Sequence, residues 1–298
     1  MPTLALTLTA AVVASACGAS VSLSGQEGTP PPPEDPATAK VSPTITARPS
    51  TITPRPETAP PASRLDSWQV GSRALPLRPD GFGRVLPTPP ELRVRRMPTR
   101  DLLPPPTSAR FESSVGRISD TVRRRMGKTW SPGCPVPLAE LRYVRVAFWG
   151  FDERPHTGEL VVNARVVQDI VGVFRVLYRA RYPIEEMRLV TTADLEAAPS
   201  GDGNNTAAFV CRATRGESSW SAHAYGLAVD VNPFLNPYRN DGLVLPELAS
   251  SYLDRSRRRP GMITPQGVVV DAFDRIGWAW GGRFRSLTDL MHFSASGR

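Results

Sequence analysis

Lysine is nearly absent from this chain: of 36 basic residues only Lys40 and Lys128 are lysine and the rest are arginine, a skew we read as codon usage and not as physics. Cysteine and histidine are scarce too, with three of each among 298 residues. No Gly-x-Ser-x-Gly elbow is present, so a serine-nucleophile hydrolase of that type is excluded. No helix-turn-helix, zinc-finger or aromatic-stacking signature accompanies the net charge of +8. The charge therefore favours anionic partners in general, and no nucleic-acid partner is expected. The N-terminal apolar run LALTLTAAVVASA, residues 4–16, is too short to span a bilayer as a permanent helix. There is no internal repeat.

Proline, in contrast, is abundant and unevenly placed: 20 of 32 prolines lie between Pro30 and Pro106. Such a stretch lacks backbone donors and apolar periodicity, so residues 18–110 are expected to be a Pro-rich disordered linker. Residues 1–17 have the form of a secretory signal, an apolar run ending in small residues. Ala14-Ser15-Ala16-Cys17 is similar to a bacterial lipoprotein processing site, with Cys17 as the lipidated residue; the alternative is a plain cleaved signal. The expected location is extracytoplasmic, anchored to the cell membrane as a lipoprotein or secreted. In an oxidising compartment Cys134 and Cys211 are free to form a disulfide, the other reading being two unpaired buried thiols. Residues 111–298 remain as one compact domain.

Within that domain, residues 117–127 suit a short basic helix ended by Gly127. LRYVRVAFWGF (141–151) alternates and predicts a strand, with a second short strand at 159–162. Val166, Ile170, Val173, Phe174 and Leu177 recur at helical spacing before Pro183 and predict an amphipathic helix of about five turns. Strands are predicted at 187–194, 207–212 and 226–233, a helix at 266–276, and a last strand at Met291-His292-Phe293. The mixture has no strict βαβ rhythm. An α+β domain follows, with a small mainly antiparallel sheet and flanking helices.

Two segments hold residues suited to chemistry. In Ser221-Ala222-His223-Ala224-Tyr225-Gly226-Leu227-Ala228-Val229-Asp230, a strand beginning near Gly226 turns Asp230 away from the aliphatic Leu227, Val229 and Val231. A carboxylate there is costly unless it is paired or binds a cation. Gly226 lets the chain turn so that His223 returns over the same face. In the second segment, His292 alternates with Met291 and Phe293, and Asp289 stands three residues before it. Two neutral imidazoles and one carboxylate make the three-ligand set of a catalytic zinc site, with Asp289 placed to handle a proton. Each histidine taken alone would more often be structural; the two segments together are far more specific. Ser221 and Tyr225 are expected to orient the site by hydrogen bonds. His156 sits beside Pro155 and a turn and is read as structural, and the Gly201–Asn205 stretch as a flexible loop. Trp278 and Trp280 suit a groove wall or the core equally well.

The first segment carries S-x-H-x-x-G-x-A-x-D in full and the second supplies [ED]-x-x-H as Asp289 and His292. This pair of motifs resembles the VanY-type D-alanyl-D-alanine carboxypeptidase and L-alanyl-D-glutamate endopeptidase family, and the resemblance extends over roughly residues 125–295. It implies a zinc metallopeptidase with a hedgehog/DD-peptidase-like domain, one Zn2+ per chain held by His223, Asp230 and His292, and peptidoglycan stem peptides as substrate. It also implies Asp289 as the catalytic base, where many members have Glu, and Arg212 as the basic residue that polarises the scissile carbonyl. The hedgehog signalling domain has the same fold and zinc set, so a non-catalytic cell-wall or partner-binding module is the alternative. The remaining expected partner is the membrane, through the N-terminal anchor, and the expected oligomeric state is a monomer.

Overall fold

In the computed structural model, which describes residues 68–214 and 217–297, short strands gather into three antiparallel sheets flanked by few helices, an α+β arrangement. In chain order the strands are β1 (Ser113–Arg117), β2 (Leu141–Trp149), β3 (Pro155–Asn163), β4 (Ala228–Asp230), β5 (Tyr238–Asn240), β6 (Leu243–Leu245), β7 (Ala279–Trp280), β8 (Thr288–Asp289) and β9 (His292–Ser294). The α-helices are α1 (Asp120–Met126), α2 (Val167–Arg179), α3 (Thr192–Glu196) and α4 (Val268–Asp274). The sheets have the orders β1-β2-β3, β4-β9-β7 and β6-β5-β8. The signal segment with Cys17, and the expected linker as far as residue 67, lie outside the described residues.

The main core follows from two periodicities. β2 turns Val144, Val146 and Phe148 to one face, as alternation requires. α2 lays Ile170, Val173, Phe174 and Leu177 against them, with Arg175 and Arg179 left outside. The helix is shorter than expected: a 3-10 turn, Ala164–Val166, precedes it and the chain leaves it at Ala180. Phe273 of α4 stacks on Phe293 of β9 at 4.1 Å, which joins the helical layer to the sheet that carries the site. Trp278 and Trp280 are buried in this core, so packing is their role.

Two expected strands are not formed as such. Residues 187–194 bury Met187 and Leu189, but Asp194 accepts from both the backbone N–H and the hydroxyl of Thr191, each at 2.8 Å. That local cap starts α3 where alternation alone suggested a strand. In 207–212 only Ala207 pairs, with Asp230.

The larger correction concerns the linker. Residues 68–110 were expected within it, yet they pack on the folded domain. Trp68, Leu75, Leu92 and Met97 form a second core with Phe234, Leu235, Leu248 and Tyr252. Arg95 is 1% exposed. Its guanidinium makes a fork with the Glu185 carboxylate, at 2.7 Å from Nε and 2.5 Å from Nη2, and Nη1 reaches the Asp202 carbonyl at 2.7 Å. Trp68 Nε1 donates to the Asp202 carboxylate at 2.9 Å. Proline still governs the backbone, which forms almost no ladder. What composition concealed is that a few anchors suffice when the apolar surface they need belongs to the domain beneath. The 201–205 stretch is likewise an ordered receptor for this segment, with Asp202 and Asn204 buried and hydrogen-bonded.

Arg95→Ala leaves the Glu185 carboxylate buried without its partner. Urea denaturation is expected to show a loss of about 3–5 kcal/mol, the range for breaking a buried pair from one side. A loss within 1 kcal/mol would mean that the segment is not part of the cooperative fold.

Candidate metal centre and its surroundings

The site is fixed by strand register. β4 pairs with β9 so that Asp230 stands directly opposite His292 and Val229 opposite Phe293. Directly opposed residues have Cβ atoms about 5 Å apart, so the carboxylate and the imidazole project together from one face. On the other face Val229 and Phe293 enter the core, both 0% exposed. His223 arrives from the 3-10 turn Ala222–Tyr225. Ser221 Oγ accepts from the His223 backbone N–H at 3.3 Å and starts that turn; Gly226 ends it at φ 65°.

Gly226 meets two demands at once. Its positive φ disfavours a side chain, and a Cβ there would lie 2.6 Å from the Asn163 nitrogen. Asn163, at the end of β3, clamps the turn: its backbone N–H donates to Gly226 O at 2.9 Å and its Nδ2 to Tyr225 O at 3.1 Å. Asn163 was not foreseen as a site residue, and nothing local marks it, because its partners lie 62 residues away and beyond. Tyr225 contributes through that carbonyl; its ring is exposed, and among the described residues its hydroxyl orients nothing in the site.

His223 Nε2, His292 Nδ1 and the Asp230 carboxylate converge. The two ring nitrogens are 3.2 Å apart, His292 Nδ1 lies 3.0 Å from Asp230 Oδ1, and His223 Nε2 lies 3.3 Å from Asp230 Oδ2. His223 Nδ1 donates to the Ala208 carbonyl at 2.5 Å, and since a carbonyl only accepts, this fixes the tautomer with the Nε2 lone pair turned inward. The Ala207–Asp230 backbone pairing sets Ala208 in that place. A tetrahedral ion with ligand arms of about 2.0–2.1 Å spaces its ligand atoms about 3.3 Å apart, so this cluster of N and O donors fits a metal ion. Burial acts to raise the Asp230 pKa, but the adjoining imidazoles of His223 and His292 outweigh it and hold the carboxyl well below the usual range.

Asp289 approaches from the side. It is set by pairing of β8 with Tyr238 of β5, and by Gly281, where a Cβ would lie 2.5 Å from the Asp289 carbonyl oxygen. Its Oδ1 is shielded and without a hydrogen-bond partner among the described residues. Burial, and then the charge of Asp230, push its pKa up to about 7, against the opposing pull of His292 and Arg212. Arg212 is half-buried, donates to the Ala213 carbonyl at 3.2 Å, and follows directly on the Cys134–Cys211 disulfide. His156 is not part of the cluster. It is buried between Asp101 and Asp152, at 2.8 and 2.9 Å, in the structural role expected of it.

Asp289 makes stability depend on pH with a definite sign. Its folded pKa lies above the unfolded value of about 3.9, so its contribution is fully present below pH 4 and is lost as pH rises through about 7. In chelator-treated protein, the stability of the parent relative to an Asp289→Asn variant is expected to fall between those limits. A difference that stays flat from pH 4 to pH 7 would contradict the raised pKa.

A family model for D-alanyl-D-alanine carboxypeptidase matches residues 214–295. No curated protein and no solved structure matches the chain. The matched segment holds His223, Asp230, Asp289 and His292 in the order and spacing of the two sequence motifs. Over residues 214–295, the stretch that carries both peptidase motifs, the chain is therefore similar to the D-alanyl-D-alanine carboxypeptidase family.

Proposed function

We propose that the protein is a zinc-dependent hydrolase of peptide bonds in peptidoglycan stem peptides. The observation that carries this reading is the convergence of His223 Nε2, His292 Nδ1 and the Asp230 carboxylate beside a second, proton-holding carboxylate. His223, Asp230 and His292 would hold Zn2+, which supplies Lewis-acid activation of water and of the peptide carbonyl. Asp289 accepts a proton at its carboxylate and returns it to the departing amine; a pKa near 7 suits a group that must do both at neutral pH. Arg212, close enough for its charge to bear on Asp289, stabilises negative charge that develops on the substrate oxygen. A hedgehog/DD-peptidase-like fold and export are part of the same reading. The Cys134–Cys211 disulfide supports export, since such bonds persist in oxidising compartments. Anchoring through a lipidated Cys17 would hold the enzyme near its substrate.

Metal analysis of the full chain is expected to find about one zinc, lost in His223→Ala. The purified parent should release product from muropeptides, and Asp289→Ala should lower kcat by about 10²–10⁴-fold while retaining the metal. Zinc retained by both proteins with no cleavage by either would favour a binding module. A parent that takes up no zinc would sink the proposal.

A further inference from the structure

A second concave surface lies at the C-terminal end of α2, built from residues before β1, the end of β2 and the helix itself. It encloses about 500 Å³. Arg110, Arg175, Arg179 and Arg181 line it, and among the described residues none of the four has a carboxylate partner. Glu112, whose charge reaches Tyr178, is already occupied by hydrogen bonds from Thr107 and Ser108. Four guanidiniums around one groove, with the nearby Glu112 carboxylate engaged by Thr107 and Ser108 and not by any of them, favour an external anion.

The aromatic residues stiffen this arrangement. Arg175 stands over Phe111 at 5.4 Å and Arg181 over Trp149 at 4.4 Å. Tyr178 packs between the two rings, 5.6 Å from Phe111 and 5.5 Å from Trp149, and its hydroxyl donates to Ala109 O at 2.9 Å. A guanidinium held over a ring face satisfies its charge without using its N–H groups, which stay available for bidentate bonds to phosphate oxygens. The same stacking narrows the choice of ligand. Phe111 and Trp149 each have an arginine over one face and pack against Tyr178, so neither offers nucleobases the open platform on which single strands stack. The groove is concave and its largest rings are packed together, which is unlike the protruding apolar side chains that enter a bilayer.

We propose that this groove binds a linear phosphodiester polymer of sugar or polyol units, with phosphates at the four arginines. The inference does not depend on the peptidase reading. The test is titration of the full chain with a glycerol phosphate oligomer, an oligothymidylate of matched phosphate number, and vesicles of phosphatidylglycerol. The oligomer is expected to bind in a salt-sensitive manner and most tightly of the three. The double variant Arg179→Gln/Arg181→Gln should weaken it by about tenfold or more, and Arg179→Lys/Arg181→Lys by less, because lysine keeps charge but not the fork. The exposed pair Arg257→Gln/Arg258→Gln should leave affinity unchanged. Equal losses in both Gln pairs would reduce the effect to net charge and overturn the proposal. So would absence of oligomer binding, or tighter binding of the oligothymidylate or the vesicles.

Discussion

Asp230 faces His292 across the β4–β9 ladder, and the site rests on that register. A strand pair slipped by one residue would send the carboxylate or the imidazole into the core and bring Val229 or Phe293 to the site. The register is held because Val229 and Phe293 are fully buried, with Phe293 stacked on Phe273 of α4. Apolar packing on one face of a three-residue ladder therefore sets the spacing of polar atoms on the other. His223 is added by a turn whose closure depends on Gly226 and on Asn163 from the first sheet.

The two carboxylates of the site are driven in opposite directions by what surrounds them. Asp230 has two imidazoles against it and is held ionised despite burial. Asp289 has a shielded oxygen without a partner among the described residues and the negative Asp230 nearby, so it favours its proton. Keeping one carboxylate ionised beside another that holds its proton requires this asymmetry. Gly281 contributes by letting the Asp289 backbone approach closer than any side chain would allow.

The segment 68–110 ties down the residues around Glu185, Asp202 and Phe234. Its buried Arg95–Glu185 pair and the Trp68–Asp202 bond join it to the loop at 201–205 and to the Phe234–Tyr252 cluster. His156, fixed by Asp101 and Asp152, fastens the same segment to the β2–β3 hairpin. A proline-rich stretch thus acts as part of the folded domain while forming scarcely any regular structure of its own.

The residue types of the site, their spacing within each motif, the α+β class and the amphipathic helix are legible in the chain alone, because each is written in local periodicity or in residues a few positions apart. Cys134 and Cys211 were open to two readings until the fold brought them together across 77 residues. Only the tertiary structure decided that residues 68–110 pack, since their burial depends on surface supplied by residues more than a hundred positions later. It alone placed Asn163, Ala208 and Gly281 around the site, for their roles are played by backbone groups and close approaches that no side-chain pattern encodes. Side-chain chemistry is local to the chain, and the positions of those side chains are settled by partners distant in sequence.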